Sequence, residues 1–147
     1  MNFRKIIMLL LLCTSLMNFQ CDDDAPIAYE QNCSDDNLIS DNTAFNNTES
    51  NFYSLIDAII DGDCITISFS SSGCSGETWN LKLIDSEAVI ESFPPQRNLK
   101  VVLENDEACL AVFTQQRAFD ITSLRIEGAN EVILNIEGLE QSLRYSY

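Results

Sequence analysis

Ile65-Thr66-Ile67-Ser68-Phe69-Ser70 is the stretch that decides the fold of this chain. Successive side chains of an extended strand point to opposite faces, so Ile65, Ile67 and Phe69 share one side and Thr66, Ser68 and Ser70 the other. One face is buried and one is wet. Asp61-Gly62-Asp63 supplies turn chemistry just before it, and residues 53–60 before that turn form either a strand or a short helix.

Outward from this strand the same pattern continues. Short apolar runs broken every eight to twelve residues occupy 78–83, 88–93, 99–103, 108–114, 124–127, 131–136 and 142–147. Pro94-Pro95 and Gly128-Ala129-Asn130 punctuate the set, and no segment keeps a helical spacing long enough to overrule it. The expectation is an all-β fold, a single antiparallel β-sandwich of about seven to nine strands over residues 52–147. A chain of that size buries roughly 60% of its unfolded surface, so crosslinks matter to its stability.

Upstream, residues 21–51 are dense in Asp, Asn, Ser and Thr and read as an acidic polar tether. Residues 1–20 have the order of an export signal: Arg4 and Lys5, then an apolar stretch over 6–12, then a mixed segment ending at Cys21. The stretch is too short to cross a bilayer, which takes about 20 apolar residues. Met1 to Asp24 resembles the signal peptide of bacterial lipoproteins, although Asn18 and Gln20 stand where such segments usually carry an aliphatic and a small residue. The resemblance implies lipidation of Cys21 and a cell-envelope location. It also makes Asp22, Asp23 and Asp24 an export signal toward the outer membrane and the cell surface.

The chain carries 23 acidic and 8 basic residues, a formal net charge of −15. Such a field repels phosphate, so nucleic acid is not an expected partner, and membrane contact is expected through the lipid anchor rather than through charge. There is no histidine, which removes Ser-His-Asp and Cys-His catalysis, and the cysteine spacing fits no zinc pattern. Neither a metal nor a cofactor is expected. Carboxylates recur at Asp61 and Asp63, Asp85 and Glu87, and Glu104, Asp106 and Glu107. Each group falls in an expected turn, where acids are ordinary, so we expect no enzyme.

Cys33, Cys64, Cys74 and Cys109 are an even set in an exported chain and predict two disulfides. If strands run alternately up and down, those at 65–70 and 108–114 run the same way. That places Cys64 and Cys109 at one end and predicts Cys64–Cys109 with Cys33–Cys74, the other pairings remaining open. Cys64, Trp79 and Cys109 then resemble, in order, the inter-sheet disulfide and tryptophan of an immunoglobulin-like sandwich, which implies that general architecture.

Two surface features remain. Pro94 and Pro95 stiffen a loop ending in Gln96 and Arg97, a candidate binding loop for a partner or, as an alternative, a protease-inhibitor loop presenting Arg97. Tyr53, Tyr145 and Tyr147 offer a stacking platform for a sugar, but the alternation of the last two with Leu143 favours a place in the core. As a whole the chain resembles small surface lipoproteins of Gram-negative bacteria. The function expected from this is a membrane-anchored binding or assembly module for a protein or glycan.

Overall fold

The computed structural model describes Cys33 and residues 37–147. Cys21 and Asp22, Asp23 and Asp24 lie outside the described residues. The elements are β1 (Leu38–Ser40), α1 (Asn42–Asn47), β2 (Ser54–Asp61), β3 (Cys64–Gly73), β4 (Asn80–Ile90), β5 (Gln96–Glu104), β6 (Ala111–Asp120), a 3-10 turn (Thr122–Leu124), β7 (Glu131–Ile136) and β8 (Leu143–Ser146). The fold is all-β in two sheets, one of order β1-β4-β5-β7-β8 and one of order β2-β3-β6.

The opening hexapeptide behaves as its alternation dictates. Ile65, Ile67 and Phe69 are completely buried, while Thr66, Ser68 and Ser70 on the opposite face are partly exposed. Opposite them stand Leu81 and Leu83 of β4, Leu99, Val101 and Leu103 of β5, and Val132 and Leu134 of β7, in one continuous core shared by both sheets. Trp79 packs beside Phe69 with ring centroids 5.9 Å apart. Each fully buried aliphatic side chain contributes about 1.5–3 kcal/mol.

Two pairings are parallel, β1 with β4 and β5 with β7, so the expectation of a purely antiparallel body is corrected. The cause is topological. After β5 the chain crosses to the other sheet as β6 and returns as β7 beside β5, and such a crossover delivers a strand pointing the same way.

Three further expectations change. The tether boundary at residue 52 is too late, because Leu38–Ser40 joins the sheet and residues up to Asn51 are tied to it. The polar residues that look like linker are hydrogen-bonding partners. The Asp41 carboxylate caps α1 by accepting from Ala44 N–H at 2.9 Å. Ser50 Oγ accepts from Leu103 N–H, and Lys100 Nζ donates to the carbonyls of Phe45 and Thr48 at the end of α1.

Runs 78–83 and 88–93, read as two strands, are one strand. β4 is interrupted only by a bulge between Asp85 and Val89, with Glu87 at φ 58°. Segment 124–127 is not a strand: Leu124 turns into the core on the 3-10 turn and Arg125 turns outward.

The merged strand overturns the disulfide pairing. With one strand fewer between them, β3 and β6 run antiparallel, Cys64 opposite Asp120 and Gly73 opposite Ala111. Cys109 therefore lies at the far end from Cys64. The bridges are Cys33–Cys64, with Cα atoms 5.7 Å apart, and Cys74–Cys109, with Cα atoms 4.8 Å apart.

Candidate functional site

The sandwich has two ends. The Asp61-Gly62-Asp63 turn, the β4–β5 hairpin tip and residues 121–130 share one, since β3, β5 and β7 leave it and β4, β6 and β8 return to it. Ile121 N–H donates to the Asp63 carbonyl at 2.9 Å, which holds these loops together. Cys64 also sits here, so its bridge fixes Cys33 at this end.

Between the hairpin tip and residues 126–131 lies an open groove of about 850 Å³. Val89, Pro94, Pro95, Ile126 and Ala129 form much of its wall. Phe93 also lines it and is fully exposed. The Phe93–Pro94 peptide bond is cis. The volume falls in the range of about 300–1,000 Å³ typical of ligand clefts. Glu91, Glu127 and Glu131 line it and no basic side chain does. Glu131 is ion-paired with Arg144, while Glu91 and Glu127 have no partner among the described residues.

The four residues of the expected binding loop are divided by the structure. Pro94 and Pro95 line the groove. Gln96 and Arg97 belong to β5, and their side chains are engaged elsewhere. Gln96 donates to Ser92 Oγ at 3.1 Å and accepts from Asn135 Nδ2 at 3.0 Å. Arg97 reaches the completely buried Asp85 carboxylate at 2.7 Å, leaving its own side chain 14% exposed. The expectation of a surface Arg97 is thereby corrected, as is that of Asp85 in a turn.

Asp85 continues the core-facing row of Leu81 and Leu83, and Arg97 that of Leu99 and Val101, so the pair closes the apolar core at the groove end. Burial pushes the Asp85 carboxyl above its ordinary range, and Arg97, the Ser40 hydroxyl and the Glu87 amide pull it partly back.

Beside the groove a second polar cluster ties the C-terminal strand down. Tyr145 is completely buried, and its hydroxyl donates to Asp63 Oδ1 at 2.6 Å. Arg125 Nε donates to the same hydroxyl at 2.9 Å, and the Arg125 guanidinium reaches Asp63 Oδ1 at 2.6 Å and lies over the rings of Tyr145 and Tyr147. The Tyr145 and Arg125 hydrogen bonds hold the Asp63 carboxyl below its usual range. Tyr53 donates to the Val101 carbonyl at 2.9 Å. All three tyrosines thus serve the core, as their alternation and position indicate.

At the opposite end, Glu107 fills a nest of backbone amides. Its carboxylate accepts from the N–H groups of Cys74, Ser75 and Gly76 and from the Thr78 hydroxyl. Led by the Ser75 and Gly76 amides, these bonds lower its pKa from 4.5 to about 2. The Cys74–Cys109 bridge clamps the two loops that make the nest.

Sequence reasoning missed the 126–131 wall, the exposure of Phe93 and the Glu107 nest. The turn residues Gly128-Ala129-Asn130 signal a loop, but what sets that loop beside Pro94-Pro95 is the parallel pairing of β7 with β5, which a strand count does not supply. Among the described residues no group of His, Cys, Asp or Glu is arranged to hold a metal, and no helix is long and apolar enough to cross a membrane.

No protein-family profile and no curated protein matches the chain. Among solved structures it is similar to a protein of unknown function from Bacteroides vulgatus, described as DUF1344. The TM-score is 0.51 at 14% identity, covering 75% of this chain and 55% of that one. A putative toxin-related protein from Parabacteroides distasonis gives a TM-score of 0.47 at 18% identity, covering 75% and 59%. The chain thus spans little more than half the length of either, and the first likeness speaks for the fold alone.

Proposed function

We propose that this chain is an envelope lipoprotein without enzymatic activity, anchored through Cys21, that binds a partner in the groove between the β4–β5 hairpin tip and residues 126–131. The observation that carries the reading is the groove itself, an apolar cleft walled by two prolines and rimmed by an exposed Phe93. Proline restricts the free chain, so such a wall loses little entropy on binding, and exposed aromatics at a cleft are the usual anchors of an interface. The lipoprotein signal resemblance supports the anchor, with Asp22, Asp23 and Asp24 directing export to the outer membrane and surface. We take the body as immunoglobulin-like only in general architecture, two sheets enclosing a core that contains Trp79; it has two parallel pairings, and the Cys64–Cys109 bridge of the resemblance is replaced by Cys33–Cys64 and Cys74–Cys109.

Fatty-acid labelling of the expressed protein tests the anchor: label is expected in the native chain and absent from Cys21→Ser. Crosslinking from position 93 in intact cells tests the groove. A discrete adduct at 93, absent from a control placed at Glu77 at the other end, is expected, and equal adducts at both positions contradict the reading.

The inhibitor alternative needs a free arginine, and Arg97 is held by Asp85. The sheet edge is the better second reading. β6 has β3 as its one sheet partner among the described residues, with Val112 73% and the preceding Leu110 90% exposed. An added strand would pair there. In the antiparallel register Ile121 N–H donates to the Asp63 carbonyl, so alternate residues of β6 such as Thr114 turn their amides to the free edge. Thr114→Pro, which removes one of those amides, is expected to abolish capture by that route and to leave groove binding intact.

A further inference from the structure

Taking the groove as the binding site, we infer that its ligand is an extended peptide segment that places lysine or arginine on either side of an apolar anchor residue. The walls supply two different demands. Val89, Pro94, Pro95, Ile126 and Ala129 offer apolar surface with no charge among them. Glu91 comes from the hairpin side and Glu127 from the facing loop, and neither carboxylate is neutralised by a neighbour among the described residues. Of the three carboxylates that line the groove, Glu131 is ion-paired with Arg144, which leaves Glu91 and Glu127 as the two without a cation among the described residues. Two acids left without counterions on the two sides of an apolar cleft complement a ligand that brings its own cations.

The charge of the whole chain acts in the same direction. At a formal −15 the protein accelerates encounter with a basic segment and slows that with an acidic one. A neutral glycan gains nothing from either term. It would also leave Glu91 and Glu127 as they are in the free protein.

The class is tested with the full-length protein in nanodiscs of neutral lipid and a set of fluorescent peptides. Each peptide carries a central Phe in a Ser-Gly background, flanked on both sides by Lys, by Ser or by Glu. At low salt the Lys-flanked peptide is expected to bind about tenfold more tightly than the Ser-flanked one, with the Glu-flanked one weaker still. The preference is expected to shrink several-fold toward 1 M salt, where the screening length falls to about 3 Å. Glu91→Gln with Glu127→Gln, two exposed substitutions without structural partners among the described residues, is expected to remove most of the Lys-over-Ser preference, leaving only what the charge of the rest of the chain supplies.

Equal binding of all three peptides, abolished by Phe93→Ala, overturns the cationic class while the groove reading stands. The same holds for a neutral oligosaccharide that displaces the peptides. No binding of any peptide overturns the inference alone, and binding unaffected by both Phe93→Ala and Ala129→Trp overturns it together with the groove reading.

Discussion

Arg97 Nη1 lies 2.7 Å from Oδ2 of Asp85, a carboxylate with no exposed surface, across the bulge that interrupts β4. This pair has two consequences. It withdraws Arg97 from the hairpin loop, leaving Phe93, Pro94 and Pro95 as the surface presented there. It also lets a polar Asp85-Ser86-Glu87 triplet sit inside a continuous strand.

Removing one partner of such a pair strands the other charge. Asp85→Ala is expected to destabilise the domain by about 3 kcal/mol, measured by urea unfolding. Asp85→Leu with Arg97→Met is expected to restore most of that loss, because an apolar pair of similar volume needs no compensation. A double variant no more stable than the single one would show that the pair supports the bulge by more than charge balance.

The Glu107 nest makes a pH-dependent contribution. Its folded pKa is depressed from 4.5 to about 2, so the stability it supplies is complete above 4.5 and lost as pH falls through about 2. Glu107→Gln is therefore expected to be less stable than the native chain at pH 7, with the difference closing between about pH 4.5 and pH 2. Denaturant midpoints across that range measure it. A difference independent of pH would assign the effect to shape rather than charge.

Non-reducing peptide mapping is expected to recover Cys33 joined to Cys64 and Cys74 joined to Cys109. The second bridge closes 35 residues, and Cys74→Ala with Cys109→Ala is expected to cost up to about 4 kcal/mol in the chain-entropy account. A Cys64–Cys109 peptide would contradict the strand directions themselves.

Tyr145→Phe removes the hydroxyl shared by Asp63 and Arg125 without altering the packing of the ring. A loss of about 1–2 kcal/mol is expected by thermal or urea unfolding. No loss would mean that the exposed Asp63–Arg125 pair holds this end unaided.

Much of the fold is legible in the sequence because most strands here alternate. Ile65 to Ser70 declares its faces, and Val132, Leu134 and Ile136 of β7 do the same. What misleads is polarity inside structure. Asp85 and Ser86 read as a turn because acids and serines usually lie in turns, but both are buried within β4, the acid by virtue of Arg97 twelve residues away. Splitting β4 adds one strand to the count, reverses the direction assigned to β6 and moves Cys109 to the wrong end. Residues 38–51 mislead in the same way, since their Asp, Ser and Asn side chains bond to backbone groups rather than to water alone. The groove was half visible: the two prolines mark one wall, and the other depends on long-range topology that no local pattern carries.

Amide hydrogen exchange of the full-length protein, with and without the Lys-flanked peptide, tests the central claim most directly. The account predicts slowed exchange in residues 89–93 and 126–131, with β6 unchanged. Protection along residues 111–120 with none at the hairpin tip would contradict it and place recognition at the sheet edge.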